Sequence, residues 1–401
     1  MRASEDPQYR ERLLLLTLAA IQFTHVLDFM VLMPLGPQLM RLFQIGPAQF
    51  GLLVSAYTLS AAAAGFACAL YIDRFDRRHA LLALYTGFAV ATLLCALAPG
   101  FGFLLAARVC AGAFGGVVGA TVYSIVGDAI PAERRGAATG MVASAFSVAA
   151  IAGVPIGLFL ANQFSWRGPF AFLTLLCTFV LFAIARWVPA LRTHLAHHSG
   201  QSPWQRIGRV LAEPGHLRAL AVMAALMMAG FSVIPFLSPY LVSNTGMRET
   251  QLPYLYFCGG LATVFTSRLT GRLADRHGKA RMFVLVSLLS VVPILIVTNL
   301  PPVPVAVSIL VTTLFMVFSN GRWVCALAMV TGSVSPQVRG SFLNLSFAVQ
   351  QLSSSVASFA AGLIIGQTAL GTLSHYWVVG LLAAVATLAA VALGRKLAPK
   401  G

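Results

Sequence analysis

The chain has 401 residues, of which 58% are hydrophobic and only 9% charged, and its 27 basic and 11 acidic residues give a formal net charge of +16. Soluble globular domains carry about 25% charged residues, so this composition excludes a soluble protein and indicates a polytopic membrane protein. The basic residues are divided among many short loops and form no single patch, which argues against nucleic acid as a partner and for the lipid bilayer.

Apolar runs of about 20 residues, the length that crosses a bilayer, recur along the whole chain. We predict twelve membrane spans, centred near Ile21, Leu59, Ala89, Gly115, Val148, Val180, Gly230, Leu261, Val291, Phe318, Val356 and Ala386. The polar residues before the first span lead into it without a cleavage site, so we expect this span to be retained as an anchor.

The basic residues alternate from loop to loop. They concentrate at both termini and after spans 2, 4, 6, 8 and 10, while the opposite loops hold only Arg41, Arg167 and Arg248. Because Lys and Arg accumulate on the cytoplasmic side of membrane proteins, both termini are predicted to be cytoplasmic. The six cysteines lie within apolar segments and show no paired spacing, so we predict neither a disulfide framework nor a metal site.

Span 1 carries Asp28, the only carboxylate that we place deep within the bilayer. A charged side chain near the centre of a span costs about 2.5–3.5 kcal/mol, so such residues usually face a cavity or a partner. If span 1 enters the bilayer from the cytoplasm near Leu13, Asp28 lies about 22 Å from that side and about 8 Å from the outer boundary. Span 4 runs inward from Phe101 at the outer boundary, so Arg108 lies about 10 Å below it. The two side chains therefore meet at similar depth, either as a proton-coupling pair or as a static buried ion pair.

Gln22 and His25 precede Asp28 at intervals of three residues and extend a polar stripe along span 1. An unperturbed histidine pKa near 6.5 suits proton transfer, so His25 is a candidate relay to Asp28. The alternative is a histidine held by structural hydrogen bonds. Gln22 is predicted to face a substrate cavity.

Residues 191–218 form the longest polar stretch and are predicted to be a cytoplasmic linker between residues 1–190 and residues 219–401. We interpret His194, His197 and His198 within it as part of a solvated loop and not as a metal site. An Asp-Arg pair follows span 2 at Asp73 and recurs after span 8 at Asp275, about half a chain away. Parallel repeats of this kind place a substrate site between the two halves near the midplane.

The second half has fewer polar candidates within its spans. Pro235 and Pro239 predict a kink in span 7. Arg322 in span 10 is predicted either to contact an anionic group of the substrate or to extend to the inner interface. In span 11, one stripe of polar residues is predicted either to line the cavity or to hold helices together, and consists of Asn344, Gln351, Ser355 and Ser358.

Several segments resemble the motifs of one family. GRLADRHGKAR (271–281) is similar to G-x-L-A-D-R-x-G-R-K, the signature loop of the major facilitator superfamily. RVCAGAFGG (108–116) resembles the R-x-x-x-G pattern of its proton-driven members, and GVPIG (153–157) is a shortened form of the glycine-proline motif of its antiporters. WRGPF (166–170) resembles the opening of span 6 in the bacterial drug and sugar efflux permeases.

This resemblance implies an all-α membrane protein with twelve transmembrane helices in two pseudo-symmetric six-helix halves. It also implies a monomeric, proton-coupled secondary transporter of the bacterial inner membrane that exports small amphipathic drugs or sugar-like solutes. Uptake of a small metabolite by the same fold is the alternative. Small-molecule substrate and protons are the implied partners, with no cofactor, and no catalytic cluster or nucleotide-binding loop favours an enzyme.

The resemblance also implies roles for particular residues. The signature loops are expected to form a conformational latch, consisting of Asp73, Arg74, Arg77, Gly271, Asp275, Arg276 and Gly278. In the first loop Ala69 and Asp76 replace the two signature glycines. Gly153, Pro155 and Gly157 are expected to form the packing surface of the antiporter motif.

Overall fold

Long helices dominate the computed structural model, which describes residues 7–69, 75–131, 133–190, 208–334 and 339–397. The predicted latch residues Asp73 and Arg74 lie outside these ranges, as does most of the predicted linker, including its three histidines. The described part of the predicted linker, residues 208–218, contains a helical turn at 208–211 and the first residues of the helix that begins at Pro214.

The helices of the first half are Pro7–Val31 (α1), Gly36–Phe43 (α2), Pro47–Ala69 (α3), Arg77–Leu97 (α4), Phe101–Ala129 (α5), Arg135–Val148 (α6), Val154–Gln163 (α7) and Gly168–Trp187 (α8). Of these, α2 is a short helix between spans. The first six predicted spans correspond to α1, α3, α4, α5, the pair α6 and α7, and α8. A π-helical turn, Ala149–Gly153, joins α6 to α7.

The second half repeats this organisation. Its helices are Pro214–Phe231 (α9), Ile234–Thr245 (α10), Leu252–His277 (α11), Lys279–Val297 (α12), Val305–Gly332 (α13), Arg339–Ile364 (α14) and Tyr376–Arg395 (α15). A two-stranded antiparallel hairpin, Gly366–Gln367 (β1) and Leu373–Ser374 (β2), precedes α15 and was not predicted. The predicted kink in span 7 is confirmed: α9 ends at Phe231, and Pro235 lies in the first turn of α10.

Within the described ranges, eleven stretches of helix are long and apolar enough to cross a membrane. The remaining predicted span, α11, has 26 residues. It falls short in apolar character because its second half carries Arg268, Arg272 and Arg276 together with Asp275. All of these charges except Arg268 belong to the signature loop, into which α11 extends as one continuous helix.

Two loop residues explain where helices end. Asp76 is the N-cap of α4, and its carboxylate accepts a hydrogen bond of 2.9 Å from the backbone N–H of Arg78. Asp is among the residues that favour this position, so the replacement of a signature glycine supplies a helix cap. Gly278 has φ +93°, a conformation that favours glycine, and it separates α11 from α12.

The chain divides into two compact units, residues 1–31 with 59–200 and residues 32–58 with 201–401. The first unit has a core in which α1, α4, α5 and α8 meet around Ile21, Phe88, Val118 and Cys177. The second has a core around Met223, Phe283, Cys325 and Phe342. The predicted halves place residues 32–58 with the first half, so the two descriptions differ for this segment.

Residues 32–58 belong to the second unit because α3 and α14 pack with almost no space between their backbones. A Cβ atom added at Gly51 would lie 2.7 Å from the carbonyl oxygen of Ser358, and one added at Gly362 would lie 2.7 Å from that of Pro47. The Ser355 hydroxyl also donates to the backbone oxygen of Ser55 at 3.0 Å. Small residues permit this approach, as is common between membrane helices.

A two-pronged ion pair also lies within the second unit. Arg41 of α2 donates from Nη1 to Oε1 of Glu249 at 2.6 Å and from Nη2 to Oε2 at 3.2 Å. Hydrogen bonding to Glu249 raises the pKa of Arg41. This pair was not predicted, because its two residues are separated by 208 positions along the chain.

Despite its geometry, we expect this ion pair to contribute little to stability. The Arg41 side chain is 66% exposed, so solvent screens the pair, and Arg41→Gln should lower the free energy of unfolding by less than about 1 kcal/mol. Thermal unfolding of the detergent-solubilised protein measures this, and the difference should shrink in high salt. A loss of several kcal/mol, or a difference insensitive to salt, would show that the pair is desolvated.

Candidate functional site

The strongest candidate site is the contact between Asp28 of α1 and Arg108 of α5, both within the first unit. Nη1 of Arg108 lies 2.7 Å from Oδ2 of Asp28, and both side chains are almost completely buried. The Thr92 hydroxyl of α4 lies 3.4 Å from the other carboxylate oxygen. The predicted meeting of Asp28 and Arg108 is therefore observed, and Thr92 is an additional partner that the sequence did not indicate.

A buried pair of this kind is sensitive to the loss of either charge. Removal of one partner leaves the other as an uncompensated buried charge, which typically costs about 3–5 kcal/mol. Protonation of Asp28 removes the negative charge in the same way. The pair can therefore convert the arrival of a proton into a change in the energy of the surrounding helices.

Gln22 and His25 present two polar atoms that are buried and lack a hydrogen-bond partner among the described residues, Oε1 of Gln22 and Nδ1 of His25. Both lie next to Gly119 of α5, since a Cβ added there would be 3.8 Å from Oε1 of Gln22 and 4.0 Å from Nδ1 of His25. The His25 ring also packs against Phe88, with centroids 6.1 Å apart. The structure thus brings both predicted residues to one face of α5.

A second polar cluster in this unit was missed by sequence reasoning. The hydroxyl of Tyr85 lies 2.7 Å from that of Thr24 and donates to Sγ of Cys177 at 3.4 Å. Tyr85 is fully buried. A buried tyrosine hydroxyl needs a partner, so Tyr85 in an apolar span was the available signal.

The predicted antiporter-motif residues lie against α1 on either side of Asp28. A Cβ added at Gly153 would lie 2.9 Å from Cδ1 of Leu27, and one added at Gly157 would lie 2.8 Å from Cγ2 of Val31. Pro155 lies in the first turn of α7, where its missing N–H costs no helical hydrogen bond. The side chains of Leu27 and Val31, which lie on either side of Asp28 along the chain, therefore pack against the two glycines.

We expect Gly153→Ala to lower stability relative to Gly140→Ala by about 1 kcal/mol, because the new methyl group must displace Leu27. Gly140 is the matched control: it lies in α6 of the same span, and nothing lies within 4 Å of a Cβ added there. Unfolding temperatures of the two variants in one detergent measure the difference. Equal stability would show that α1 does not depend on this contact.

Arg322 does not extend to an interface, so that alternative is wrong. It is only 2% exposed and donates from Nη1 to Ser290 of α12 at 3.3 Å and to Thr387 of α15 at 2.6 Å. These partners lie on the neighbouring helices of its own bundle. Its predicted contact with the substrate remains a prediction.

The polar stripe of α14 divides into two parts. The Ser355 and Ser358 hydroxyls hydrogen-bond to backbone oxygens of Ser55 and Phe231, so these two serines hold helices together. Asn344 is exposed, Gln351 is partly buried, and neither makes a hydrogen bond with other described residues. Asn344 and Gln351 are thus available to line a cavity, as predicted, and that role remains a prediction.

The described latch residues lie at helix ends. Arg77 is buried, and its Nε donates to Asp128 of α5 at 3.1 Å. In the second loop Asp275 and Arg276 are exposed on the last turn of α11, one turn beyond Gly271 and just before Gly278. Arg77 thus joins α4 to α5 within the first unit.

The described residues contain no group of three or more His, Cys, Asp or Glu side chains that could hold a metal ion.

Comparison with protein families identifies one matching model, described as the Major Facilitator Superfamily. It matches residues 18–229 and again residues 219–401, so two successive matches cover almost the whole chain.

Two curated relatives are similar over most of their length. The chain is 26% identical over 351 residues to the chloramphenicol resistance protein of Streptomyces lividans, covering 85% of this chain and 86% of the relative. It is 25% identical over 352 residues to the MFS-type transporter YceJ of Bacillus subtilis (strain 168), covering 87% and 88%.

Among solved structures, a D-xylose-proton symporter superposes with a TM-score of 0.76 at 17% sequence identity, covering 96% of this chain and 97% of that one. At this identity the likeness concerns the fold alone. With the family match, it confirms the predicted fold class and the expectation of a transporter in place of an enzyme.

Proposed function

This chain belongs to the Major Facilitator Superfamily, and we propose that it is a proton-coupled antiporter that exports a small amphipathic or sugar-like solute. It acts as a monomer in the bacterial inner membrane, with both termini in the cytoplasm. The substrate is exchanged for protons that enter from the outer side.

The buried contact between Asp28 and Arg108 is the observation that carries this proposal. With Asp28 ionised, the pair is neutral overall and holds α1 to α5. When a proton binds Asp28, Arg108 loses its counter-charge. This favours a conformation in which water solvates Arg108, or one in which Asp28 releases its proton and the ion pair forms again. Each proton driven inward by a potential of 100 mV supplies about 2.3 kcal/mol for this cycle.

The chemistry beside this pair supports the choice of substrate. Oε1 of Gln22 and Nδ1 of His25 are buried atoms without a described partner. The amide oxygen accepts a hydrogen bond, and Nδ1 accepts one in the neutral tautomer that carries its proton on Nε2. A substrate with hydroxyl or amino groups satisfies such acceptors. His25 is also close enough along α1 to pass a proton towards Asp28.

Other observations support export and orientation. The curated relative from Streptomyces lividans is named for chloramphenicol resistance, a property consistent with export. The alternation of basic loops supports cytoplasmic termini. In that orientation the described latch residues Arg77, Gly271, Asp275, Arg276 and Gly278 lie at the cytoplasmic ends of helices, where they favour closure on that side. Asn344 and Gln351 contribute to the substrate cavity.

The test is proton flux in proteoliposomes that contain the purified protein and a pH-sensitive dye. A panel of antibiotics, cationic dyes, sugars and amino acids is added on one side under an imposed pH gradient. Antiport is supported by a solute that crosses the membrane in one direction while protons cross in the other. Movement of solute and protons in the same direction would replace export by uptake, and solute movement unaffected by a proton ionophore would contradict proton coupling.

A further inference from the structure

Arg322 is a buried cation without an acidic partner among the described residues, and it belongs to the second unit, whereas Asp28 and Arg108 belong to the first. A guanidinium has five N–H donors. The hydrogen bonds that Arg322 makes all leave from Nη1, towards the hydroxyls of Ser290 and Thr387. Several donors and the full positive charge are therefore not matched by other groups in the described part of the chain.

The two hydroxyls do not offset that charge. Ser290 donates its own proton to the backbone oxygen of Ser287 at 2.7 Å, and Thr387 donates to that of Ala383 at 2.8 Å. Both are thus neutral acceptors towards Arg322. A cation within a membrane bundle is costly unless a negative group lies beside it.

Two further hydroxyls of α12 and α13 have buried oxygens that make no hydrogen bond with other described residues, those of Ser287 and Ser319. Ser287 lies one turn from Ser290 on the same face of α12, and Ser319 lies one turn from Arg322 on the same face of α13. Each can donate a proton. Hydroxyl donors beside a guanidinium form a suitable environment for an anion.

Close packing of the helices at this level favours a small ligand over a large one. A Cβ added at Gly321, the neighbour of Arg322, would lie 3.1 Å from Cγ1 of Val286, so α12 and α13 approach closely. A carboxylic acid or phosphate ester needs more space than a single atom. We propose that Arg322, Ser287 and Ser319 bind a monovalent inorganic anion of halide size, with chloride as its physiological form.

Such an ion neutralises Arg322 and joins α12, α13 and α15 of the second unit. This role replaces the substrate contact predicted for Arg322 from the sequence, because the ion is held inside one bundle and is not transported. The inference does not depend on proton coupling or on the direction of transport.

The test is the thermal stability of the purified full-length protein in detergent, with sodium chloride replaced stepwise by sodium gluconate at constant ionic strength. We expect chloride to raise the unfolding temperature along a saturating curve, and bromide to replace chloride. Arg322→Met and Ser287→Ala should abolish the saturating response. Arg268→Gln, which removes an exposed arginine of α11, is the matched control and should keep it.

Three outcomes would overturn the proposal: a wild type that is indifferent to chloride, a response to chloride and gluconate alike, or an unchanged response in Ser287→Ala. Ser287→Ala keeps the arginine and removes only one hydroxyl, so it decides the question even where Arg322→Met does not fold. Loss of the chloride response in Ser287→Ala with an intact response in Arg268→Gln supports the site. Proteoliposome flux tests the proposed function separately.

Discussion

Asp28→Asn is expected to abolish solute-driven proton flux while solute binding remains measurable. Asn is close in shape to the carboxylate but cannot exchange a proton, so any cycle that passes through Asp28 stops. The measurement is dye-reported flux in proteoliposomes beside solute binding to the same preparation. Glu249→Gln is the control, since it removes an acid from an exposed ion pair and should leave flux intact.

The same substitution should have a large effect on stability. Asp28→Asn or Arg108→Gln alone leaves one buried charge unpaired and is expected to cost about 3–5 kcal/mol of unfolding free energy. The double variant Asp28→Asn/Arg108→Gln removes both charges, so its loss should be well below the sum of the two single losses. Full coupled flux in Asp28→Asn would instead assign Asp28 a structural role and require another coupling site.

Gly362→Ala is expected to destabilise the protein by about 1–3 kcal/mol. The added methyl group would meet the Pro47 carbonyl oxygen at 2.7 Å and backbone carbon atoms of Ala48 and Gly51 at 3.2 Å, and none of these can move without shifting a helix. Gly51→Ala should behave in the same way, because Ser358 presents its carbonyl oxygen at 2.7 Å. Thermal unfolding in detergent gives both values.

The control for this prediction is Gly65→Ala in the same helix as Gly51. No heavy atom lies within 4 Å of a Cβ added at Gly65. Alanine should there raise stability by about 0.5–1 kcal/mol, because it restricts the unfolded chain and favours the helix. If Gly362→Ala proved as stable as Gly65→Ala, α3 and α14 would not be in contact at this point.

Much of the fold was predictable, since span length and loop charge follow from the thickness and asymmetry of a bilayer. The contact between Asp28 and Arg108 was predictable for a similar reason. Both are charges in apolar spans, and the rise of a helix sets their depth. The break in span 7 followed from Pro235, which cannot donate the hydrogen bond of a continuous helix.

The sequence did not indicate which helices meet, because lipid-facing and bundle-facing residues are equally apolar. The approach of Gly51 to Gly362 depends on that pairing, and so does the direction in which Arg322 points. Asp76 was interpreted as an additional loop charge because its capping of α4 depends on a local backbone conformation. The partners of Tyr85 come from α1 and α8, which its own span does not identify.

The π-helical turn at Ala149–Gly153 has the effect of inserting one residue between α6 and α7. An ordinary α-helical turn would hold one residue fewer, and α7 would then be rotated by about 100° relative to α6. That rotation would carry Gly157 away from Val31 and present a bulkier neighbour to α1. The extra residue of the π-helical turn therefore sets the rotation of α7 about its axis. That rotation decides whether α1, the helix that carries Asp28, packs against a glycine or against a larger side chain.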